Sequence, residues 1–240
     1  MIAAVLFDLD DTLYDQRQFL DGAWRAVAAR AALDGVDRDR FESALRDLAT
    51  HGSDRGHIID LALARLGATS VAVPTLVAAF RSHAPEHLDP YPGVTDALND
   101  LSKRVPLGLI SDGDPVIQRA KLDGLGLARF FTSVVLSDEH GRAHRKANPL
   151  PFRRALNELG VEAGDAVYIG DRPAKDVAGA VGAGMRAIRV QTGEWRGDPD
   201  DPRAWASVAT VTDAVDLIWR TLPPASAMAA APSVEQPIRP

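Results

Sequence analysis

The sequence predicts an α/β protein, with a doubly wound, Rossmann-like parallel sheet as its core and a helical domain inserted into that core. Short apolar, β-branched runs alternate with helical patterns along most of the chain, which is typical of parallel strands joined by helices. The runs are continuously apolar, as in strands that are buried on both faces. A long helical stretch separates the first run from the second, which predicts an insertion.

The candidate strands, in chain order, are residues 2–7, 106–110, 133–136, 166–169 and 187–190. Several of these runs end in Asp, Ser or Gly. The carboxyl ends of parallel strands lie at one edge of the sheet, and ligands of open α/β sheets bind at that edge. The polar residues at the strand ends are therefore the first candidates for a functional site.

Residues 16–87 are predicted to form the inserted helical domain, because Ala, Leu and Arg recur there at helical spacing. Breaks near Gly35, residues 52–53 and residues 67–74 divide this insert into about four helices. The linker 89–93, Asp-Pro-Tyr-Pro-Gly, marks the return to the core and is a natural hinge. The predicted core comprises residues 1–15 and 88–221, and the Pro-, Ala- and Ser-rich stretch 222–240 is predicted to be a disordered tail.

The composition excludes several classes of protein. Hydrophobic residues make up 46% of the 240 residues and charged residues 25%, which is enough apolar material for a sizeable core. The formal net charge is -6 and the basic residues are scattered, so neither nucleic acid nor an anionic membrane is an expected partner. The absence of cysteine excludes disulfides, thiolate metal sites and cysteine nucleophiles. With no membrane-spanning run and no signal-peptide pattern, a soluble cytoplasmic protein is expected.

The strongest site pattern lies at the end of the first candidate strand, where Asp8, Asp10 and Asp11 follow an apolar run. Carboxylates this close repel one another and raise each other's pKa unless a cation neutralises them. Oxygen-only ligands favour Mg²⁺ over zinc. A solvated acidic turn is the alternative interpretation of this motif taken alone.

A second acidic pattern follows the strand at 166–169, where Gly170 and Asp171 precede Asp176 at the start of a helix. Asp171 is placed to complete the same metal site. The alternative is that Asp171 is a turn residue and that Asp176 stabilises a helix N-terminus, where a negative charge faces the helix dipole.

Two further patterns indicate an anion site. Ser111, Asp112 and Gly113 follow the strand at 106–110 and offer a hydroxyl and backbone N–H groups to an oxyanion or a phosphate. Lys146 precedes a helix start marked by Pro149 and Pro151, where a fixed positive charge can meet a phosphate, although lone lysines are usually solvated.

Taken in this order, the motifs resemble those of the haloacid dehalogenase superfamily of phosphohydrolases. The resemblance covers roughly residues 1–221, and its most specific parts are Asp8-x-Asp10-x-Thr12 and Gly170-Asp171 followed by Asp176. The helical insert after the first motif resembles the type 1 cap of that family. The chain departs from the family at Ala147, where Pro commonly follows the motif lysine, so the neighbouring His144 and Arg145 are alternative cations.

The resemblance implies chemical roles for the acidic residues. Asp8 is implied to be the nucleophile that becomes an aspartyl phosphate, and Asp10 the general acid/base, which would need a raised pKa in at least one state. The carboxylates of Asp8 and Asp171 and the backbone carbonyl of Asp10 are implied to hold Mg²⁺, with Asp176 supporting them.

The resemblance also implies which residues meet the substrate. The residues expected around the phosphate are Thr12, Ser111, Asp112, Gly113 and Lys146. Of these, Thr12 is expected to organise the turn after the first strand. The insert is expected to determine specificity, and its polar candidates are Arg17, Arg55 and His57.

The implied function is a Mg²⁺-dependent phosphatase acting on a small phosphorylated metabolite. Asp10 argues against a dehalogenase, because a leaving halide needs no proton. A phosphomutase or another phosphotransferase is the first alternative, and a non-catalytic phosphate-binding regulator is the second. A monomer and a homodimer are both compatible with the sequence.

Overall fold

The computed structural model describes residues 1–50, 52, 56–68 and 70–222. Within these residues all strands join one parallel sheet, in the order β3-β2-β1-β4-β5-β6. The strands are β1 (Ala4–Phe7), β2 (Leu107–Ser111), β3 (Ser133–Leu136), β4 (Ala166–Gly170), β5 (Arg186–Val190) and β6 (Ala206–Val208). The sheet grows to either side of the central β1, so the predicted doubly wound α/β core is confirmed.

Helices cover both faces of the sheet, which explains why its strands are continuously apolar. Every residue of β1, β2 and β4 is buried. Val5 and Phe7 face a cluster that includes α5 (Val94–Ser102), α6 (Pro115–Leu125) and α9 (Val211–Trp219). Ala4 and Leu6 face the opposite cluster, with α7 (Leu150–Leu159) and α8 (Ala178–Gly182).

Among the described residues between β1 and α5, four helices pack around a hydrophobic cluster of their own. They are α1 (Arg17–Ala32), α2 (Arg38–Ala49), α3 (Ile58–Leu66) and α4 (Val73–Arg81). Their buried side chains include Trp24, Val27, Phe41, Leu45 and Leu76. We call this part of the molecule the helical insert. Its two connections to the core meet where Tyr14 and Pro90 form an isolated antiparallel β-bridge.

One strand is absent from the sequence prediction. β6 is only Ala206–Val208, it lies at the edge of the sheet, and Ser207 at its centre is exposed. A half-exposed edge strand of this length does not need the apolar run that identifies the buried strands.

Of the predicted tail, only Leu222 belongs to the described residues, and residues 223–240 lie outside them. Among the residues that are described, no helix combines the length and the hydrophobicity needed to cross a bilayer.

Candidate active site

The sequence motifs meet at the carboxyl edge of the three central strands. Asp8 follows β1, Ser111 ends β2, and Asp171 follows β4, and β1 is paired with both other strands. The backbone N–H of Asp8 donates to the carbonyl of Ile169 at 2.9 Å, which extends the β1–β4 pairing to the residue that carries the carboxylate. Parallel pairing therefore brings together residues far apart in the chain.

Three buried carboxylates form a cluster at this edge. Asp8, Asp171 and Asp176 each offer a carboxylate oxygen, and these atoms lie within 4.8 Å of one another. Gly170 allows this approach, because a Cβ at that position would lie 2.5 Å from the carboxyl carbon of Asp176. The close packing of this cluster thus explains why a glycine precedes Asp171 in the second acidic pattern.

Asp171 lacks the donors that a buried carboxylate requires. It is fully buried, and neither of its carboxylate oxygens has a hydrogen-bond partner among the described residues. Burial, followed by the charges of Asp176 and Asp8, raises the pKa of Asp171 well above its usual range. A buried, unpartnered carboxylate beside two others fits a hard divalent cation, which accepts oxygen ligands and removes the repulsion.

Lys146 supplies positive charge inside this cluster. Its Nζ contacts the Asp8 carboxylate, lies 2.7 Å from Oδ1 of Asp176, and donates to the hydroxyl of Tyr168 at 3.2 Å. Burial alone would lower the pKa of Lys146, but Asp176 and Asp8 raise it well above its usual value. Lys146 therefore stays charged, and it reaches Asp8 although Ala147 follows it.

Asp8 is held in a balance of opposing effects. Burial raises its pKa, Lys146 lowers it and Asp176 raises it again, and together these effects place the pKa of Asp8 at about 7. The hydroxyl of Thr12 donates to Oδ2 of Asp8 at 3.4 Å. Thr12 is completely buried, so its hydrogen bond holds the Asp8 carboxylate from the protein interior.

The Asp112 side chain secures the segment that carries Lys146. Its Oδ1 accepts from the backbone N–H of Lys146 at 3.1 Å and from the hydroxyl of Ser137 at 2.6 Å. An acidic side chain repels a phosphate, so an anion at this strand end would meet the Ser111 hydroxyl and the backbone N–H groups instead.

Asp10 is surrounded by donors that sequence reasoning missed. Lys121 contacts both of its carboxylate oxygens, and Gln118 and Tyr14 each contact one. Burial alone would raise the pKa of Asp10, but Lys121, with hydrogen bonds from Gln118 and Tyr14, lowers it. The predicted raised pKa is thus not found in this state.

Gln118 and Lys121 could have been found in the sequence by their spacing. They lie three residues apart in α6, on the same buried helix face as Ile117 and Leu122. Polar residues on an otherwise apolar helix face, just after a candidate strand end, indicate a buried polar contact.

The third acidic residue of the first motif holds the turn to a distant loop. Asp11 is buried and has a left-handed backbone, with φ at 60°. Its carboxylate accepts from the backbone N–H groups of Gln16 and Glu194 at 3.1 and 3.0 Å, and its carbonyl accepts from the hydroxyl of Thr192. Asp11 thereby ties the start of the insert to the loop after β5.

A cavity of about 450 Å³ lies between the sheet edge and the insert. Most of the predicted site residues line it, namely Asp8, Asp10, Ser111, Asp112, Gly113, Lys146 and Asp171. Thr12 and Asp176 are not among the lining residues, and they support Asp8 and Lys146 from behind. The wall contributed by the insert is largely apolar, with Phe19, Leu20, Trp24, Ile58, Val77 and Phe80.

The specificity candidates of the insert have different positions. His57 lines the cavity, with its side chain 84% exposed and 3.7 Å from Asp60. Arg17 is paired with Asp15 at 2.8 Å and lines a neighbouring cavity rather than this one, and its role in specificity stays a prediction. Arg55 lies outside the described residues.

The two alternative cations beside Lys146 also differ in position. Arg145 lines the cavity and binds the carboxylate of Asp138 through two contacts of 2.6 Å. His144 has a buried Nδ1 without a hydrogen-bond partner in the described region. Neither replaces Lys146 in its contacts with Asp8 and Asp176.

Comparison with known proteins shows the family of this chain. The family model of the haloacid dehalogenase-like hydrolases matches residues 2–184. A glyceraldehyde 3-phosphate phosphatase from Methanopyrus kandleri is 39% identical over 216 residues, which are 84% of this chain and 91% of the relative. A phosphoglycolate phosphatase from Rhodospirillum rubrum is 35% identical over 204 residues, 80% of this chain and 81% of the relative.

Solved structures share the fold. A 2-haloacid dehalogenase from Pseudomonas syringae superposes with a TM-score of 0.65 at 28% identity, covering 92% of this chain and 100% of the other. A putative beta-phosphoglucomutase from Thermotoga maritima superposes with a TM-score of 0.71 at 21% identity, over 92% of this chain and 100% of the other. The family match and the acidic site at the sheet edge lead to one conclusion: this chain is an enzyme of the haloacid dehalogenase-like hydrolase family.

Proposed function

We propose that the protein is a Mg²⁺-dependent phosphatase that hydrolyses a small phosphate monoester through an aspartyl phosphate on Asp8. The observation that carries this proposal is the position of Asp8, whose buried carboxylate contacts Lys146 and lies beside Asp171 at the floor of the cavity. Relatives named as phosphatases of glyceraldehyde 3-phosphate and phosphoglycolate support a small monoester as substrate.

The metal would be held by the carboxylates of Asp8 and Asp171 and by the backbone carbonyl of Asp10, with Asp176 behind them. When bound, Mg²⁺ supplies positive charge that offsets the repulsion between a carboxylate nucleophile and an anionic phosphoryl group. The unpartnered oxygens of Asp171 are the feature of this chain that fits such an ion.

The proposed chemistry has two displacement steps at phosphorus. An oxygen of Asp8 attacks, the bond to the ester oxygen breaks, and Asp10 gives a proton to the leaving oxygen. Asp10 must bind this proton together with the substrate, because Lys121 lowers its pKa in the state described above. Asp10 then takes a proton from water, the water oxygen attacks the aspartyl phosphate, and inorganic phosphate leaves while Asp8 is regenerated. The presence of Asp10 favours an oxygen leaving group over a halide, because only the former needs this proton.

Lys146 and Ser111 are proposed to hold the phosphoryl oxygens. Lys146 is already charged and fixed by its contacts with Asp8 and Asp176, so it does not need to be reoriented when a phosphate arrives. The Ser111 hydroxyl accepts from Gln118 at 2.6 Å, which leaves its own proton for a phosphoryl oxygen.

The first test is phosphate release from a panel of small monoesters in Mg²⁺, compared with release in EDTA. We expect release that requires the metal and that is abolished by Asp8→Asn. Asp100→Asn is the matched control, because Asp100 lies on the surface and pairs with Lys103. Activity retained by Asp8→Asn would contradict the proposal, and isomerisation of a sugar phosphate without net release would indicate a phosphomutase.

Two further proposals rest on the sequence alone. A cytoplasmic location is proposed because the chain has no cysteine. Its fold therefore needs no disulfide and no oxidising compartment in which to form one. A monomer or a homodimer is proposed as the oligomeric state, and light scattering of the purified protein distinguishes the two.

A further inference from the structure

Three side chains from two parts of the chain surround the carboxylate of Asp10. Lys121 Nζ lies 2.8 Å from Oδ1 and 2.7 Å from Oδ2, Tyr14 donates to Oδ1 at 2.7 Å, and Gln118 donates to Oδ2 at 2.9 Å. Each carboxylate oxygen therefore has two donors. The plane of this carboxylate is therefore fixed, because turning it out of that plane breaks contacts at both oxygens.

Lys121 also contacts the helical insert. Its side chain is only 8% exposed, and its ammonium group lies 4.7 Å from the centre of the Phe19 ring in α1 of the insert. A buried lysine that contacts a carboxylate and an aromatic face has little freedom of its own. Lys121 therefore connects the orientation of Asp10 to the packing of the insert on the core.

Gln118 connects Asp10 to the anion site. The same side-chain nitrogen lies 2.6 Å from the Ser111 hydroxyl and 2.8 Å from the Asp112 carbonyl, in addition to its contact with Asp10. One side chain thus spans the acid/base residue and the hydroxyl proposed to hold the phosphoryl group. Tyr14 completes the arrangement from the connection between core and insert, where it forms a β-bridge with Pro90.

We propose that Lys121 and Gln118 are positioning residues, which hold the Asp10 carboxylate toward the leaving-group oxygen and keep it in register with Ser111. This inference rests on the proposed function, because it assigns them to the proton transfer that Asp10 performs there. Neither residue belongs to the sequence motifs. They act through Asp10, since the bonds that break and form involve Asp8, Asp10, the ester and water.

The test uses two esters that differ in their need for a proton. The leaving oxygen of an alkyl phosphate must be protonated, whereas para-nitrophenolate leaves without a proton. We expect Lys121→Met to lower kcat/KM for the alkyl ester by about tenfold or more, which is part of the rate enhancement that general acid/base catalysis supplies. For para-nitrophenyl phosphate we expect kcat/KM to change by less than about threefold. Gln118→Leu is expected to show the same selectivity, and Lys121→Arg to restore part of the loss.

A double mutant separates positioning from general damage. Asp10→Asn removes the group that Lys121 orients, so adding Lys121→Met to Asp10→Asn should cause no further fall in kcat/KM. Lys103→Met is the matched control, because Lys103 is exposed and pairs with Asp100 in α5. Circular dichroism and thermal melting of each variant verify the fold.

The possible results lead to different conclusions. Equal losses on both esters, or losses that add to those of Asp10→Asn, would overturn the positioning role while leaving the phosphatase intact. Unchanged kcat/KM in Lys121→Met and Gln118→Leu would overturn it as well. A wild-type protein that releases phosphate from neither ester would overturn the proposed function, and the positioning role with it.

Discussion

Buried charge is the main feature of this molecule at the scale of single residues. Asp8, Asp171 and Asp176 are all buried, and Lys146 is the cation that contacts two of them. Removing a carboxylate from water costs several kcal/mol unless a partner compensates, and one lysine does not compensate three carboxylates. The imbalance is largest at Asp171, which has no donor in the described residues.

This imbalance predicts opposite effects of Asp171→Asn with and without metal. In EDTA the variant should be at least as stable as wild type, because it removes a buried charge that lacks a partner. In Mg²⁺ the wild type should gain about 2.7 kcal/mol at a metal concentration a hundred times Kd, and the variant should lose that gain. Thermal melting in both buffers measures both effects, with Asp100→Asn as the control. A variant that keeps the full Mg²⁺-dependent gain would show that Asp171 is not a ligand.

Most site residues were predicted from the sequence because each follows a strand. Asp8, Ser111 and Asp171 had to meet once the strands were parallel and adjacent. Lys121 and Gln118 were not predicted, because their contact with Asp10 depends on the rotation of α6 about its axis. The position of Arg17 was not predictable either, because its pairing with Asp15 directs it to the neighbouring cavity.

At the scale of elements, the loop after β5 packs closely against the turn after β1. Gly193 has φ at 62°, and a Cβ at that position would overlap the Asp11 carboxylate. The Asp11 carboxylate in turn accepts the backbone N–H of Glu194 at 3.0 Å. The loop after β5 is therefore held against the turn that carries Asp8 and Asp10.

Gly193→Ala is expected to lower the free energy of unfolding by about 1–3 kcal/mol, the usual cost of overpacking, and to reduce activity through the displaced Asp11 turn. Gly197→Ala is the matched control in the same loop, since a Cβ there meets no atom within 4 Å. Urea unfolding of both variants compares the two costs. Equal destabilisation by both substitutions would mean that contact with Asp11 is not the cause.

The packing of α4 on α1 adds a pH dependence to stability. His83 follows α4, packs over Gly22 and lies 5.3 Å from the Phe19 ring. Burial, and then the charge of Arg25, lowers the pKa of His83 below 6.5. The folded state therefore binds fewer protons than the unfolded state near that pH, so its stability decreases as the pH falls through about 6.5.

The corresponding test compares urea unfolding at pH 8 and pH 5.5 for wild type and His83→Gln. We expect the acid-induced loss of stability to be smaller in His83→Gln, because this side chain no longer takes up a proton on unfolding. His87→Gln is the control, since His87 is exposed and pairs with Asp89 at 2.9 Å. A loss of the same size in wild type and in His83→Gln would exclude His83 as its source.

At the scale of the whole molecule, hydrophobic clusters on the two faces of the sheet and a third cluster in the insert stabilise the structure. Leu20 and Phe80 pack against both the insert cluster and one core cluster. The cavity lies between these parts, with mostly charged and polar residues on the core side and mostly apolar residues on the insert side, where Asp60 and Arg81 are exceptions. The shape of this cavity therefore depends on how the insert packs on the core, and through Phe19 and Lys121 the same packing reaches Asp10.

A chain that ends at Leu222 is expected to keep the activity and melting temperature of the full chain. Leu222 is buried in the core cluster with α9, and every proposed catalytic residue precedes it. The measurement is kcat/KM and thermal melting of the two chains side by side. A loss of either property on removing residues 223–240 would assign these residues a role in the folded protein.

The sequence by itself determined the α/β class, the order of the motifs along the chain and the acidic residues at the strand ends. These features are local, because an apolar run and the polar residue that ends it are neighbours in the chain. The tertiary structure decided which side chains surround Asp10, which insert residues reach the cavity and how the edge strand β6 pairs. Those contacts join residues distant in the chain, and they depend on how helices rotate and pack, which hydrophobic periodicity does not specify.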